Sequence, residues 1–102
     1  PEIQKTSVIE QQKIISENKL SYEARKELSR KIRKAEKEVK EVETLIQNLE
    51  NEIEQMQHEL NDPSKASDHE FILLYQKKQR ELEQKIYEWE ILSEKLEELK
   101  VE

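Results

Sequence analysis

Glycine and cysteine are both absent from these 102 residues, and proline occurs only twice, as Pro1 and Pro63. A loop that cradles phosphate needs glycines where the backbone approaches the ligand, so neither a P-loop nor a dinucleotide fingerprint can be present. Without cysteine there is no thiol nucleophile, no disulfide framework and no thiolate-held zinc, a composition that suits a cytoplasmic protein. No apolar run approaches the roughly 20 residues of a membrane span, and no signal-peptide core is visible. Hydrophobic residues are scarce as well, at 33% against 41% charged. That balance cannot fill a thick globular core, so the choice lies between disorder and a seam. A coiled coil needs only two apolar positions in seven, and periodicity decides whether it has them.

Periodicity is present from Leu28 onward. Leu28, Ile32, Ala35, Val39, Val42, Ile46, Leu49, Ile53, Met56 and Leu60 recur at alternating steps of four and three, the signature of a long helix with a coiled-coil seam. Ser21 is the expected N-cap, with Glu23 in the first turn. Asn61-Asp62-Pro63 should end this helix, because Pro63 lacks the N–H that would continue the ladder. Ser67-Asp68-His69-Glu70 reads as a capping box opening a second helix. The second seam is Phe71, Tyr75, Leu82, Trp89, Leu92, Leu96 and Leu99, with Lys78 and Lys85 in core positions and Ile72 and Ile86 sharing the burial.

The expected fold is therefore all-α: a two-helix antiparallel coiled-coil hairpin with a mostly irregular N-terminal linker. Residues 1–20, whose apolar residues keep no sustained period, form the linker. Beginning at Pro1, the chain reads as a piece of a longer protein. Helix 1 runs over about 21–61, the loop over 62–67 and helix 2 over about 68–101 of a hairpin spanning 21–102. A short loop makes the helices antiparallel. Placing Leu60 near Phe71 sets Ile53 near Lys78, Leu49 near Leu82, Val42 near Trp89 and Ala35 near Leu96. In that register Glu38 faces Lys95 and Lys31 faces Glu102. Complementary pairing within one chain favours a monomer over a homodimer.

The sharpest chemical feature is a basic cluster. Between Arg25 and Lys40 stand eight basic residues against Glu27, Glu36 and Glu38. In the heptad frame Lys26, Arg30, Arg33, Lys34, Lys37 and Lys40 point away from the partner helix, with Arg25 opening the run. Like charges four apart mildly destabilise a helix, so a face that keeps them suits an anionic partner such as a phosphate backbone. The plainer reading is an ordinary solvated face, neutralised through Glu27–Lys31, Lys34–Glu38, Glu36–Lys40 and Lys37–Glu41. The residues alone favour neither. From Glu41 to Asp62 there are seven acidic residues and no Lys or Arg, which puts any nucleic-acid contact at the basic end.

Other candidates carry less. Glu54 and His58, four apart, could be two metal ligands, but without further ligands a solvated histidine is the better reading and no metal is expected. Trp89 and Tyr75 could stack on bases, yet both fall on the seam and read as core. Lys78 and Lys85 read as snorkelling or register-setting residues. The carboxylates lack a concave setting that would tune them, so the chain is expected to be non-catalytic.

Three segments resemble one family. Asn18-Lys19-Leu20-Ser21-Tyr22-Glu23-Ala24-Arg25-Lys26-Glu27 is similar to the opening of the C-terminal domain of ABC-F ATPases. Glu59-Leu60-Asn61-Asp62-Pro63 resembles that family's Asp-Pro tip, and Tyr87-Glu88-Trp89-Glu90 its late tryptophan element, although Glu88 stands where many relatives carry arginine. The resemblance covers about residues 18–100 and points to the Uup-like branch. It implies the terminal arm of a cytoplasmic protein with two ATP-binding cassettes, lacking membrane spans and acting in translation at the ribosome. ATP and magnesium would belong to the absent cassettes, and no cofactor to this chain. The implied ligand is DNA or ribosomal RNA, met by Arg25, Lys26, Arg30, Arg33, Lys34, Lys37 and Lys40. A purely structural or protein-docking spacer is the alternative.

Overall fold

In the computed structural model the backbone is described for residues 2–101 and the side chains for residues 21–101. Three helices follow one another: α1 (Glu2–Glu59), α2 (Pro63–Ala66) and α3 (His69–Val101). The described residues contain no strand, and the fold is all-α. At 1.5 Å per residue α1 is about 87 Å long and α3 about 50 Å. The molecule is a rod of 95 × 17 × 14 Å.

The length of α1 corrects the expectation of an irregular segment over residues 1–20 and of a helix start at Ser21. No glycine or proline interrupts residues 2–62, and Glu, Gln and Lys are good helix formers. Loss of apolar period removes a seam; it does not stop a helix. Ser21 lies well inside α1, where its carbonyl accepts a hydrogen bond from Arg25 Nε at 3.3 Å. The side chains of residues 1–20 lie outside the described residues.

The chain reverses through capping chemistry. The last turn of α1 tightens through Asn61 N–H to the His58 carbonyl (3.2 Å) and Asp62 N–H to that of Glu59 (3.0 Å). Asp62 then caps α2, its carboxylate accepting from Ser64 N–H at 3.0 Å, and Pro63 occupies the first helical position, where no N–H is needed. The proposed capping box at Ser67 does not form. Because α2 takes one helical turn from the expected loop, Ser67 ends that turn and donates its hydroxyl to the Pro63 carbonyl at 2.9 Å. The cap of α3 passes to Asp68, which accepts from Glu70 N–H (3.1 Å) and Phe71 N–H (3.3 Å). Lys65 Nζ lies 5.2 Å from the centroid of the Phe71 ring, tying α2 to the start of α3.

All ten apolar positions from Leu28 to Leu60 are buried or half-buried on one side of α1, with Val39, Val42, Ile53 and Met56 the deepest. Against them lie Leu96, buried, and Phe71, Tyr75, Leu82, Leu92 and Leu99, half-buried. Polar contacts mark the register: Gln57 Nε2 donates to Tyr75 Oη (3.0 Å), Lys78 meets Glu52 (3.0 Å), and Trp89 Nε1 donates to Glu43 (3.0 Å). Numbers fall along α1 as they rise along α3, so the helices run in opposite directions, close to the expected pairing. The flanking charges pair differently. Glu38 and Lys95 form no ion pair; Lys100 reaches Glu36 instead, at 3.9 Å. Glu102 lies outside the described residues.

Two seam assignments on α3 need correction. Trp89 remains 36% exposed and Ile86 38%. An indole is too large to sit flat between Val42 and Ile46, and its N–H needs an acceptor, which the rim position supplies in Glu43. Lys78 and Lys85 stay half-buried and carry their ammonium groups out to Glu52 and Glu88, each at 3.0 Å.

Candidate anion-binding face

The seam decides where the cations go. With Leu28, Ile32, Ala35 and Val39 turned inward, the alternating three- and four-residue steps put Lys26, Arg30, Arg33, Lys37 and Lys40 in a line on the opposite side, flanked by Lys34. All six are exposed, as is Arg25. From Lys26 to Lys40 the line is about 21 Å long.

None of the four local pairs expected to neutralise this face forms, although Glu27 meets Arg30 instead. Glu27–Lys31, Lys34–Glu38, Glu36–Lys40 and Lys37–Glu41 are all absent from the ion pairs of the described residues, which comprise Arg30–Glu27 (3.8 Å), Lys78–Glu52, Lys85–Glu88 and Lys100–Glu36. Glu36 has been drawn across to α3, away from the basic face. Among the described residues, Lys26, Arg33, Lys34, Lys37 and Lys40 therefore lack an ion-pair partner. The one interaction of Arg25 is with the Ser21 carbonyl, which leaves its terminal guanidinium nitrogens available. Arginine forks can grip phosphate through two parallel bonds, whereas lysines act as mobile point charges. Together they place seven exposed positive charges within residues 25–40. The arrangement offers electrostatic binding.

Distal to Lys40 the acids behave differently. Glu52 is engaged by Lys78, whose ammonium pKa is raised above its ordinary value, first by the hydrogen bond to Glu52 and then by that carboxylate's charge. Glu43 holds the tryptophan. Asp62 caps α2, and the Ser64 N–H holds its carboxyl below the usual carboxylate range. His58 is exposed, and the described residues contain no group of three side chains able to hold a metal ion. No described helix is long and apolar enough to cross a membrane.

One aromatic escaped the sequence reading. Tyr22 is 64% exposed, one turn before the first cations, where a ring can stack on a base. Its position directly before a basic run was the available signal. Tyr75 and Trp89 are less free: the first accepts from Gln57 and the second donates to Glu43. At the same end Leu28 and Leu99 floor a shallow notch of about 480 Å³ edged by Arg25 and Lys31.

Compared with protein families, curated proteins and solved structures, the chain matches none.

Proposed function

We propose that this chain is a two-helix antiparallel coiled-coil hairpin that serves as a non-catalytic nucleic-acid-binding arm. The observation that carries the reading is the row Lys26, Arg33, Lys34, Lys37 and Lys40, exposed and, among the described residues, without ion-pair partners, while Glu36 reaches across to Lys100 on α3. A helix keeps such a repulsive face at a small cost, and phosphates are the ligands that repay it by releasing condensed counterions. The resemblance of Leu20-Ser21-Tyr22, Asp62-Pro63 and Trp89 to ABC-F signatures supplies the setting: the C-terminal arm of a cytoplasmic ATPase acting on DNA or ribosomal RNA, with ATP and magnesium held by its cassettes. The hairpin acts as a monomer, and the polarity of its surface orients it, basic end toward the nucleic acid.

A docking role toward protein is the competing reading. It is favoured by the half-exposed Trp89 and Ile86, which with Ile46 line a groove edged by Glu43 and Glu50. Titration of isotopically labelled protein with a DNA duplex and a structured RNA separates the two. With duplex DNA the expected outcome is amide shifts confined to residues 25–40 and a log–log salt slope of about −5, from six or so neutralised phosphates. Reversal of Arg33, Lys34 and Lys37 to Glu should abolish the shifts while leaving helicity intact. No shift with either ligand at low salt leaves the protein-docking arm.

A further inference from the structure

The outer side of α1 does not turn acidic where the composition does. Three solvent-facing rows run along α1 from residue 26 onward at seven-residue steps: Lys26–Arg33–Lys40–Gln47–Glu54, Arg30–Lys37–Thr44–Asn51–His58 and Glu27–Lys34–Glu41–Asn48–Gln55. Beyond Lys40 these rows carry Thr44, Gln47, Asn48, Asn51, Gln55 and His58, all exposed, with only Glu41 and Glu54 among them. The other acids of this half sit to the sides or at the tip. Glu43 and Glu52 are bonded to α3, Glu50 edges the tryptophan groove and Asp62 caps α2. The basic line therefore continues, on the same face, as a row of uncharged hydrogen-bonding groups. The combined strip is about 48 Å long.

From this continuity, and resting on the nucleic-acid reading above, we infer that the arm binds double-helical RNA, the cations of residues 25–40 holding phosphates and the amides of residues 47–55 hydrogen-bonding 2′-hydroxyls. A side-chain amide both donates and accepts, as a 2′-hydroxyl does, whereas a phosphate only accepts. Duplex RNA displays its 2′-hydroxyls along a wide, shallow minor groove, which a straight helix face can meet. Duplex DNA has no such groups. The amides are also arranged in advance: Gln47 Nε2 donates to Asn51 Oδ1 at 3.1 Å, which leaves the Gln47 carbonyl oxygen and the Asn51 amide hydrogens for a ligand.

The test compares the full chain on RNA and DNA duplexes of identical sequence, about 16 base pairs long to span two minor grooves. Affinities are measured by fluorescence anisotropy over a series of salt concentrations. RNA should bind roughly tenfold tighter than DNA, as expected for a few directional contacts added to a shared phosphate term. The variant Gln47→Ala/Asn48→Ala/Asn51→Ala should erase that preference, leaving DNA affinity and both salt slopes unchanged. These residues are exposed, and alanine favours helix, so circular dichroism should match the parent. Equal affinity for the two duplexes, a variant that keeps the RNA preference, or one that weakens both duplexes alike overturns the inference and leaves the binding arm standing. Absence of salt-dependent binding to either overturns both.

Discussion

The basal half of the seam-bearing part of α1, residues 25–40, and its distal half, residues 41–59, share one inner seam and differ in how they handle charge. Val39 in the first and Val42, Ile53 and Met56 in the second are buried to the same degree. Among the described residues, basal cations stay exposed and largely unpaired, while two of the distal acids are bonded to α3, Glu52 to Lys78 and Glu43 to Trp89. Exposed ion pairs are worth only about 0–1 kcal/mol, so stability does not require this asymmetry. A charge left without a partner on a folded surface is better understood through what it can bind. A single seam thus supports one half whose cations stay exposed and another that bonds two of its carboxylates to α3.

If the two halves are held by equivalent packing, truncating the seam at either end should cost the same. Ile53→Ala distally and Leu96→Ala, which packs toward the basal half, should each destabilise by about 2–3 kcal/mol, read from urea or thermal unfolding. A basal truncation that proved nearly silent would break the comparison, since the cationic half would then lack packing of its own. Neither substitution touches the basic face, so the proposed nucleic-acid binding should be unchanged wherever the protein remains folded.

A smaller effect belongs to the turn. Asp68→Ala removes the acceptor for Glu70 and Phe71 N–H and should cost about 1 kcal/mol, whereas Ser67→Ala should cost less because Ser67 does not cap α3. Equal losses from the two would restore the capping box in solution.

The smallest effects are in pH. The pKa of Asp62 is lowered on folding, so its contribution is present above the unfolded value near 3.8 and is lost as pH falls through the folded one. That of Lys78 is raised, so its contribution is complete below the ordinary value near 10.5 and disappears as pH rises through the folded one. Asp62→Asn should flatten the acid limb of the stability curve and Lys78→Met the alkaline limb. Both groups are exposed enough for solvent to keep the changes small. An unaltered acid limb in Asp62→Asn would show that protonation of Asp62 is not what weakens the fold in acid.

Much of this was legible in advance, because a heptad repeat is a local code. Ten positions from Leu28 to Leu60 with no polar exception specify both a helix and its buried side, and everything opposite, including Arg25 to Lys40, is exposed by elimination. The stop at Pro63 and the opposite direction of α3 follow with it. Less legible were features in which neighbouring residues compete for one role. Ser67 and Asp68 both qualify as caps, and the helical turn Pro63–Ala66 decides between them by using the serine. Trp89 has seam spacing, but ring size and an N–H seeking an acceptor place it at the rim. Residues 1–20 lack an apolar period, which hides a helix that needs no seam to form.

The sequence by itself determined the all-α class, the apolar seam, the turn and the polarity from basic to acidic, because each depends on residues within a few positions of one another. Only the tertiary structure decided which charges remain available. Whether Glu36 neutralises Lys40 or reaches Lys100, and whether Glu43 and Glu52 face outward or turn to α3, depends on the second helix. Spacing along one helix lists the partners a charge can have, and the packing of the other helix selects among them.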